Sequence, residues 1–187
     1  MDLDQTDHAT IEAVLVTDKG SMVVTFFPEQ AQKHVRSFLT LAQQGFYEGT
    51  TFHRIVRNFM VQAGCPHSKP GSLAQPGTGG PGFQLPAEFN DIKHTRGIVS
   101  MARARDSNSA GSQFFIVQVD TADFLDGQYT VFGKVEEGLD VLDAIASVDC
   151  EFGPAGERSK PKERISILGI TLRPRQQRQP AEGAQEA

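Results

Sequence analysis

The sequence is poor in cysteine, in positive charge and in long apolar segments. Its two cysteines, Cys65 and Cys150, lie far apart and cannot form a disulfide framework, which excludes a disulfide-stapled scaffold. Eighteen Lys and Arg against 23 Asp and Glu give a formal net charge of -5. That balance argues against a general nucleic-acid binder, because phosphate binding is driven by positive charge. No apolar run approaches the roughly 20 residues that span a bilayer, so no membrane partner is expected.

The first residues also lack a targeting pattern. Residues 1–7 are acidic and polar, whereas a secretory signal has a basic segment followed by an apolar one. With so few cysteines, this start predicts a reducing, cytoplasmic location. The 187 residues are 39% hydrophobic and 22% charged, ordinary values for one soluble domain that buries a core without metals or disulfides.

The chain divides into three parts by composition. Residues 1–10 are polar and predict a flexible N-terminal arm, and residues 11–172 hold the apolar periodic segments of one folded domain. Residues 173–187 are dominated by Arg, Gln, Pro, Glu and Ala. Such a tail buries too little apolar surface to offset its ordering entropy, so we predict that it is disordered.

Short runs of β-branched and aromatic residues dominate the central part and predict eight strands. These are Ile11–Val16, Met22–Phe27, Phe52–Val56, Phe59–Ala63, Gly97–Ala102, Phe114–Val117, Tyr129–Val135 and Ile165–Leu172. Residues 65–83 and 151–162 are rich in Gly and Pro and predict loops. A loop as long as the first is uncommon in a compact domain and is often functional.

Two segments have helical periodicity. Ala31, Val35 and Phe38 are spaced as one face of a helix that follows Pro28, and Gly138–Val148 predicts a second helix. Many strands and two helices do not suit an alternating parallel fold. They favour a mainly β fold in which an antiparallel sheet closes on itself and the helices cover its open ends.

Three separated stretches carry the most specific pattern. They are Phe52–Gln62, then Ser100–Ala104 followed by Gly111–Ile116, then Phe124–Gly127 followed by Tyr129–Val135. In this order they closely resemble the cyclophilin family of peptidyl-prolyl cis-trans isomerases, and the resemblance runs from about Ile11 to Leu172. It implies a closed eight-stranded antiparallel β-barrel capped by two α-helices, with a groove that binds an Xaa-Pro peptide and rotates its amide.

The resemblance also implies roles for individual residues. Arg54 matches the family's catalytic arginine. The matching substrate-binding positions are Phe59, Met60, Phe115 and Leu125 in the proline pocket, Gln62 and Gln113 as polar groove residues, Ala102 and Arg103 in the segment whose backbone pairs with the peptide, and Phe124 and Tyr129 in the groove wall. It implies an isomerase that acts without metal or cofactor on proline-containing peptides and unfolded proteins. The sequence gives no positive sign of oligomers, so we expect a monomer.

The chemistry of prolyl rotation explains why an arginine suits this task. The barrier is roughly 18–20 kcal/mol because resonance gives the C–N bond partial double character. No nucleophile or metal is needed to weaken that resonance. As the amide twists, its nitrogen gains a localised lone pair, and a donor aimed at it is worth more in the twisted state than in the planar one. A guanidinium stays charged and offers a fixed fork of donors, so Arg54 is the candidate.

Three positions depart from frequent cyclophilin residues. Phe124 stands where some members carry the Trp linked to tight cyclosporin binding, and this chain has no Trp. Tyr129 stands where others carry His, and Arg103 replaces a frequent Asn. These changes leave the arginine and the pocket intact but predict weak cyclosporin binding.

Two other interpretations remain open from the residues alone. The groove residues would also suit a non-catalytic scaffold that binds proline peptides, and without the motif Arg54 would be an ordinary solvated charge. A metal- or thiol-dependent protein would instead use Cys65, His67 and Cys150, although Cys65-Pro66-His67 is only half a metal site. Phe114 and Phe115 adjoin on one strand, so we expect them to face opposite sides, with Phe114 in the core.

Overall fold

A computed structural model describes residues 1–177, which form one eight-stranded sheet, a separate two-stranded hairpin and two α-helices. All eight predicted strands and both predicted helices are present, with ends displaced by a few residues. The elements are β1 (Ile11–Thr17), β2 (Gly20–Phe26), α1 (Gln32–Gln43), β3 (Arg54–Val56), β4 (Met60–Ala63), β5 (Ile98–Met101), β6 (Phe114–Val117), β7 (Val131–Glu137), α2 (Leu139–Ala146), β8 (Cys150–Phe152), β9 (Arg158–Pro161) and β10 (Ile167–Pro174).

The main sheet is antiparallel and has the strand order β10-β1-β2-β7-β5-β6-β4-β3. The prediction of a closed barrel is wrong, because the edge strands β3 and β10 do not pair and the sheet is an open, strongly curled half-barrel. The two segments that precede β3 and β10 pair at one isolated bridge, between Thr51 and Ser166. The pairing does not continue into the strands themselves. The β8–β9 hairpin covers the edge of β3 instead, where the Cys150 thiol donates to the Ile55 carbonyl at 3.7 Å.

The apolar face of α1 covers the concave side of the sheet. The ring centroid of Phe38 lies between 5.1 and 5.6 Å from those of Phe26, Tyr47, Phe114 and Phe132, and all five side chains are buried. Such aromatic contacts add to the burial of a large apolar area, so they stabilise the curled sheet that carries the functional residues.

One predicted loop and the two ends of the chain differ from expectation. The segment 151–162, predicted as a loop, contains most of the β8–β9 hairpin. Strand β10 continues to Pro174, and Arg173 Nε donates to the buried Glu12 at 2.8 Å, so the predicted tail begins inside an ordered strand. Its residues 178–187 lie outside the described part of the chain. At the other end, Leu3 packs against the main core.

None of the helices within residues 1–177 combines the length and the apolar character needed to cross a membrane.

Candidate active site

A second apolar cluster lies apart from the main core and contains most of the predicted pocket. Met60, Phe115 and Leu125 are buried in it, and Phe59, Ala102 and Tyr129 pack against it. We call these six residues the apolar cluster. Strand β6 separates the two cores, because Phe114 belongs to the main core while Phe115 faces the cluster, as strand alternation predicts.

Arg54 lies at the border of the apolar cluster. It opens β3 opposite Gln62 of β4, and its Nη1 is 3.8 Å from Met60 Sδ and 3.4 Å from Gln62 Oε1. Its side chain is 38% exposed. The antiparallel register therefore brings one edge of the guanidinium, still accessible to solvent, beside an apolar surface.

The opposite edge of the Arg54 guanidinium binds a residue that the sequence did not point to. Nε donates to Glu157 Oε2 at 3.0 Å and Nη2 donates to Glu157 Oε1 at 3.2 Å. The carboxylate side chain is also 38% exposed, so the pair is open to water rather than sealed in the core. The two residues are 103 positions apart, and no local pattern around Glu157 could have indicated the contact.

Gln62 and Gln113 link Arg54 to the long loop between β4 and β5. Gln62 Nε2 donates to Gln113 Oε1 at 3.0 Å, and Gln113 Nε2 donates to the carbonyls of Gly77 and Gly79 at 2.9 and 2.8 Å. These bonds fix both amide groups.

A cleft of about 820 Å³ lies beside these two glutamines. Its lining includes Gln62, Ala102, Arg103, Gln113 and residues 77–84.

Cys65 binds the same loop, between β4 and β5, through the backbone N–H groups of that loop. Its Sγ is fully buried and accepts the backbone N–H groups of Gly77 and Gly79 at 3.1 and 3.3 Å. The two glycines are therefore held through their N–H groups by a thiol and through their carbonyls by Gln113. The sequence indicated a functional loop here but not the two side chains that order it.

Cys65→Ala should loosen this loop. The substitution leaves two amides without their acceptor, which typically costs about 1–3 kcal/mol of unfolding free energy. Urea unfolding and hydrogen exchange at the Gly77 and Gly79 amides measure the effect. Cys150→Ala is the matched control, and unchanged protection of both amides in Cys65→Ala would contradict the expectation.

The remaining predicted residues form the rim. The Arg103 guanidinium lies 4.7 Å from the Tyr129 ring centroid, and its Nε donates to the Gln128 carbonyl at 3.0 Å. Phe124 is 65% exposed, with its ring 5.3 Å from that of Phe59. The Ala102 N–H donates to the Gln113 carbonyl at 2.9 Å, so this donor of the predicted peptide-pairing segment is already engaged.

The buried His94, which the sequence analysis did not point to, packs against the Phe115 ring. The His94 ring stacks on Phe115, its Nδ1 is 3.0 Å from Asp126 Oδ1, and its Nε2 is 3.1 Å from Ser100 Oγ. Hydrogen bonding by the His94 backbone N–H lowers the pKa of Asp126 to about 2, and burial lowers the pKa of His94. Ser100 is fully buried, so this Ser-His-Asp arrangement cannot meet a substrate and acts as packing support.

The residues of the metal or thiol interpretation have other partners. Cys65 accepts the loop amides, His67 Nδ1 is 3.0 Å from Thr78 Oγ1, and the Cys150 thiol contacts the Ile55 carbonyl. Within residues 1–177, no three His, Cys, Asp or Glu side chains are grouped so that they could hold a metal ion.

Comparison with known sequences identifies relatives over most of the chain. The family model described as cyclophilin type peptidyl-prolyl cis-trans isomerase/CLD matches residues 13–172. A peptidyl-prolyl cis-trans isomerase of Synechococcus elongatus is 44% identical over 140 residues, which cover 74% of this chain and 90% of the relative. One from Helicobacter pylori is 43% identical over 152 residues, covering 79% and 85%.

Solved structures give the same result. The crystal structure of a Cryptosporidium parvum cyclophilin-type peptidyl-prolyl cis-trans isomerase, in the presence of the dipeptide Ala-Pro, is 30% identical with a TM-score of 0.75 and covers 88% of this chain and 99% of its own. The cyclophilin AquaCyp293 of Hirschia baltica, at 24% identity, a TM-score of 0.69 and coverage of 89% and 74%, shares the fold. The chain therefore belongs to the cyclophilin-type peptidyl-prolyl cis-trans isomerase family.

Proposed function

We propose that this isomerase binds the proline ring in the apolar cluster and rotates the preceding amide against Arg54, without a cofactor. The observation that carries the proposal is the position of Arg54 Nη1, next to Met60 and Gln62 at the cluster's border. The Ala-Pro dipeptide present with the Cryptosporidium relative supports a proline-containing ligand.

Arg54 acts here as a donor for the twisted state. When the ring is held in the apolar cluster, the chain before the bond can turn while the proline nitrogen becomes pyramidal. Nη1 then donates to the developing lone pair, an interaction absent in the planar amide, so it lowers the barrier rather than only tightening binding. Met60 and Phe115 supply deformable and aromatic surface for the ring, with Phe59 and Leu125 beside them.

The peptide on either side of the bond lies along the rim. Apart from the engaged Ala102 N–H, the segment Ala102–Arg103 offers its backbone groups to an extended chain. Gln62 and Gln113 offer amide groups already oriented by the long loop. Arg103 stacked on Tyr129 and the exposed Phe124 form the groove wall. The substrates are unfolded chains whose folding is limited by prolyl isomerisation, because uncatalysed cis–trans exchange takes about 10–100 s. We propose that the protein does this as a monomer in the cytoplasm.

The test is the exchange rate of a short Ala-Pro peptide, followed by NMR exchange spectroscopy with catalytic amounts of the protein. An isomerase accelerates cis–trans exchange at substoichiometric concentration. The alternative, a non-catalytic scaffold, predicts peptide chemical-shift changes on binding with no acceleration, and that result would overturn the proposal.

Cyclosporin should bind weakly, with a dissociation constant in the micromolar range or above. Phe124 offers an exposed ring but no N–H donor, unlike the Trp that some cyclophilins carry at this position. Phe124→Trp should tighten binding about two- to tenfold, the effect of one added hydrogen bond of about 0.5–1.5 kcal/mol. Calorimetry measures both constants, and a submicromolar value for the unmodified protein would contradict the prediction.

A further inference from the structure

One edge of the Arg54 guanidinium is held by a carboxylate from a distant hairpin. Nε and Nη2 bind the two oxygens of Glu157, while Nη1 faces Met60 and Gln62. We propose that Glu157 is a positioning residue, which fixes the guanidinium so that Nη1 points at the reacting bond. The inference rests on the proposed role of Arg54 in prolyl rotation.

The planarity of the guanidinium makes this positioning effective. A bidentate bond along one edge fixes both the direction and the plane of the group, so the position of Nη1 is fixed as well. Gln62 Oε1 adds a third point of attachment near Nη1. A donor that is already oriented in the resting protein needs no reorganisation when the amide twists, which is the condition for electrostatic catalysis.

The hairpin that carries Glu157 is itself anchored. The Gly153 N–H donates to the Glu157 carbonyl at 2.8 Å and closes the turn, and Arg158 Nε donates to the Cys150 carbonyl at 2.7 Å. The Cys150 thiol then contacts the carbonyl of Ile55, the residue after Arg54. Glu157 therefore approaches Arg54 from a hairpin attached to the same strand, not from a free loop.

Glu157 does not occupy the side of Arg54 that faces the apolar cluster. The carboxylate binds the Nε and Nη2 edge, whereas Met60 lies at Nη1. A proline peptide can reach Nη1 without breaking the ion pair. The geometry therefore indicates orientation of Arg54 rather than competition with substrate.

The test compares Glu157→Gln with Glu151→Gln. Both remove one negative charge from the same hairpin, but Glu151 pairs with Lys160, at 2.6 Å, rather than with Arg54. We expect kcat/KM for prolyl isomerisation to fall about fivefold in Glu157→Gln, the upper range for a partly exposed ion pair. The loss should be in kcat, with little change in KM, and Glu151→Gln should match the unmodified protein.

Two further measurements separate positioning from a structural role. The Arg54 Nε–Hε NMR signal should be sharp in the unmodified protein and in Glu151→Gln and broadened in Glu157→Gln. Added salt, which screens a partly exposed pair, should lower the unmodified rate towards that of Glu157→Gln and leave that variant unchanged.

The possible results have distinct meanings. Unmodified activity and an unchanged Arg54 signal in Glu157→Gln would overturn the positioning role and leave the isomerase function standing. A faster Glu157→Gln would also overturn it, because Glu157 would then compete with substrate. An inactive unmodified protein would instead overturn the proposed function, and the inference with it.

Discussion

Arg54→Ala should lower kcat/KM for prolyl isomerisation by about 10²–10³-fold, the usual effect of removing one preorganised donor from a transition state. The substitution removes the group that lies beside the apolar cluster and leaves the cluster itself unchanged. Peptide binding should therefore persist while acceleration is lost. Exchange spectroscopy gives the rate, and titration of the same peptide gives the affinity.

Two related variants sharpen the Arg54 experiment. Arg54→Lys keeps the charge but not the fork of donors, so it should lose the bidentate contact with Glu157 and recover only a small part of the activity. Arg57→Ala removes an exposed arginine three residues along the chain and should leave the rate unchanged. Equal rates for Arg54→Ala and the unmodified protein would defeat the mechanism and favour a scaffold.

Acidification below pH 6.5 should destabilise the fold. Burial lowers the pKa of His34, His53 and His94 from the model-compound value of 6.5. Hydrogen bonds from each ring to a neighbouring oxygen oppose this effect without reversing it. The unfolded chain thus takes up protons at a pH where the folded protein keeps these rings neutral.

The difference in proton binding between the folded and unfolded states decides whether stability rises or falls with pH. Because the folded-state pKa values are depressed, the stability contribution is fully present above pH 6.5 and is lost as the pH falls through the folded pKa values. Each histidine contributes a slope of at most about 1.4 kcal/mol per pH unit, so about 4 kcal/mol per unit is the upper limit for the three together. Asp126, with a pKa lowered to about 2, adds a second loss between pH 3.8 and about 2.

Urea unfolding at half-unit steps between pH 5 and 8 measures this dependence. The free energy of unfolding should be nearly flat above pH 7 and should fall with increasing slope below it. His34→Gln, which removes one of the three rings, should reduce that slope by up to about a third. A free energy that stays constant from pH 7 to pH 5 would contradict the expectation.

Local patterns predicted the elements and the polarity of their faces. Alternation assigned Phe114 to the core and Phe115 to the other side, and the structure places them so. The spacing of Val35 and Phe38 predicted the buried face of α1. The three motifs pointed to Arg54, Met60 and Gln62, which the register of β3 and β4 brings into contact.

Other features depend on contacts that no local pattern contains. The sheet stays open between β3 and β10, and a hairpin predicted as a loop lies against β3. Glu157 reaches Arg54 across 103 residues.

The sequence by itself thus determined the strands, the helices and the separation of core from groove, since these follow from residue periodicity. Its resemblance to the cyclophilin family indicated the candidate catalytic arginine. Only the tertiary structure decided how that arginine is oriented, how Cys65 and Gln113 hold the long loop, and what lies beneath Phe115. The physical reason is that a hydrogen bond forms only when donor and acceptor lie within a few ångströms, and chain topology sets which distant residues come that close.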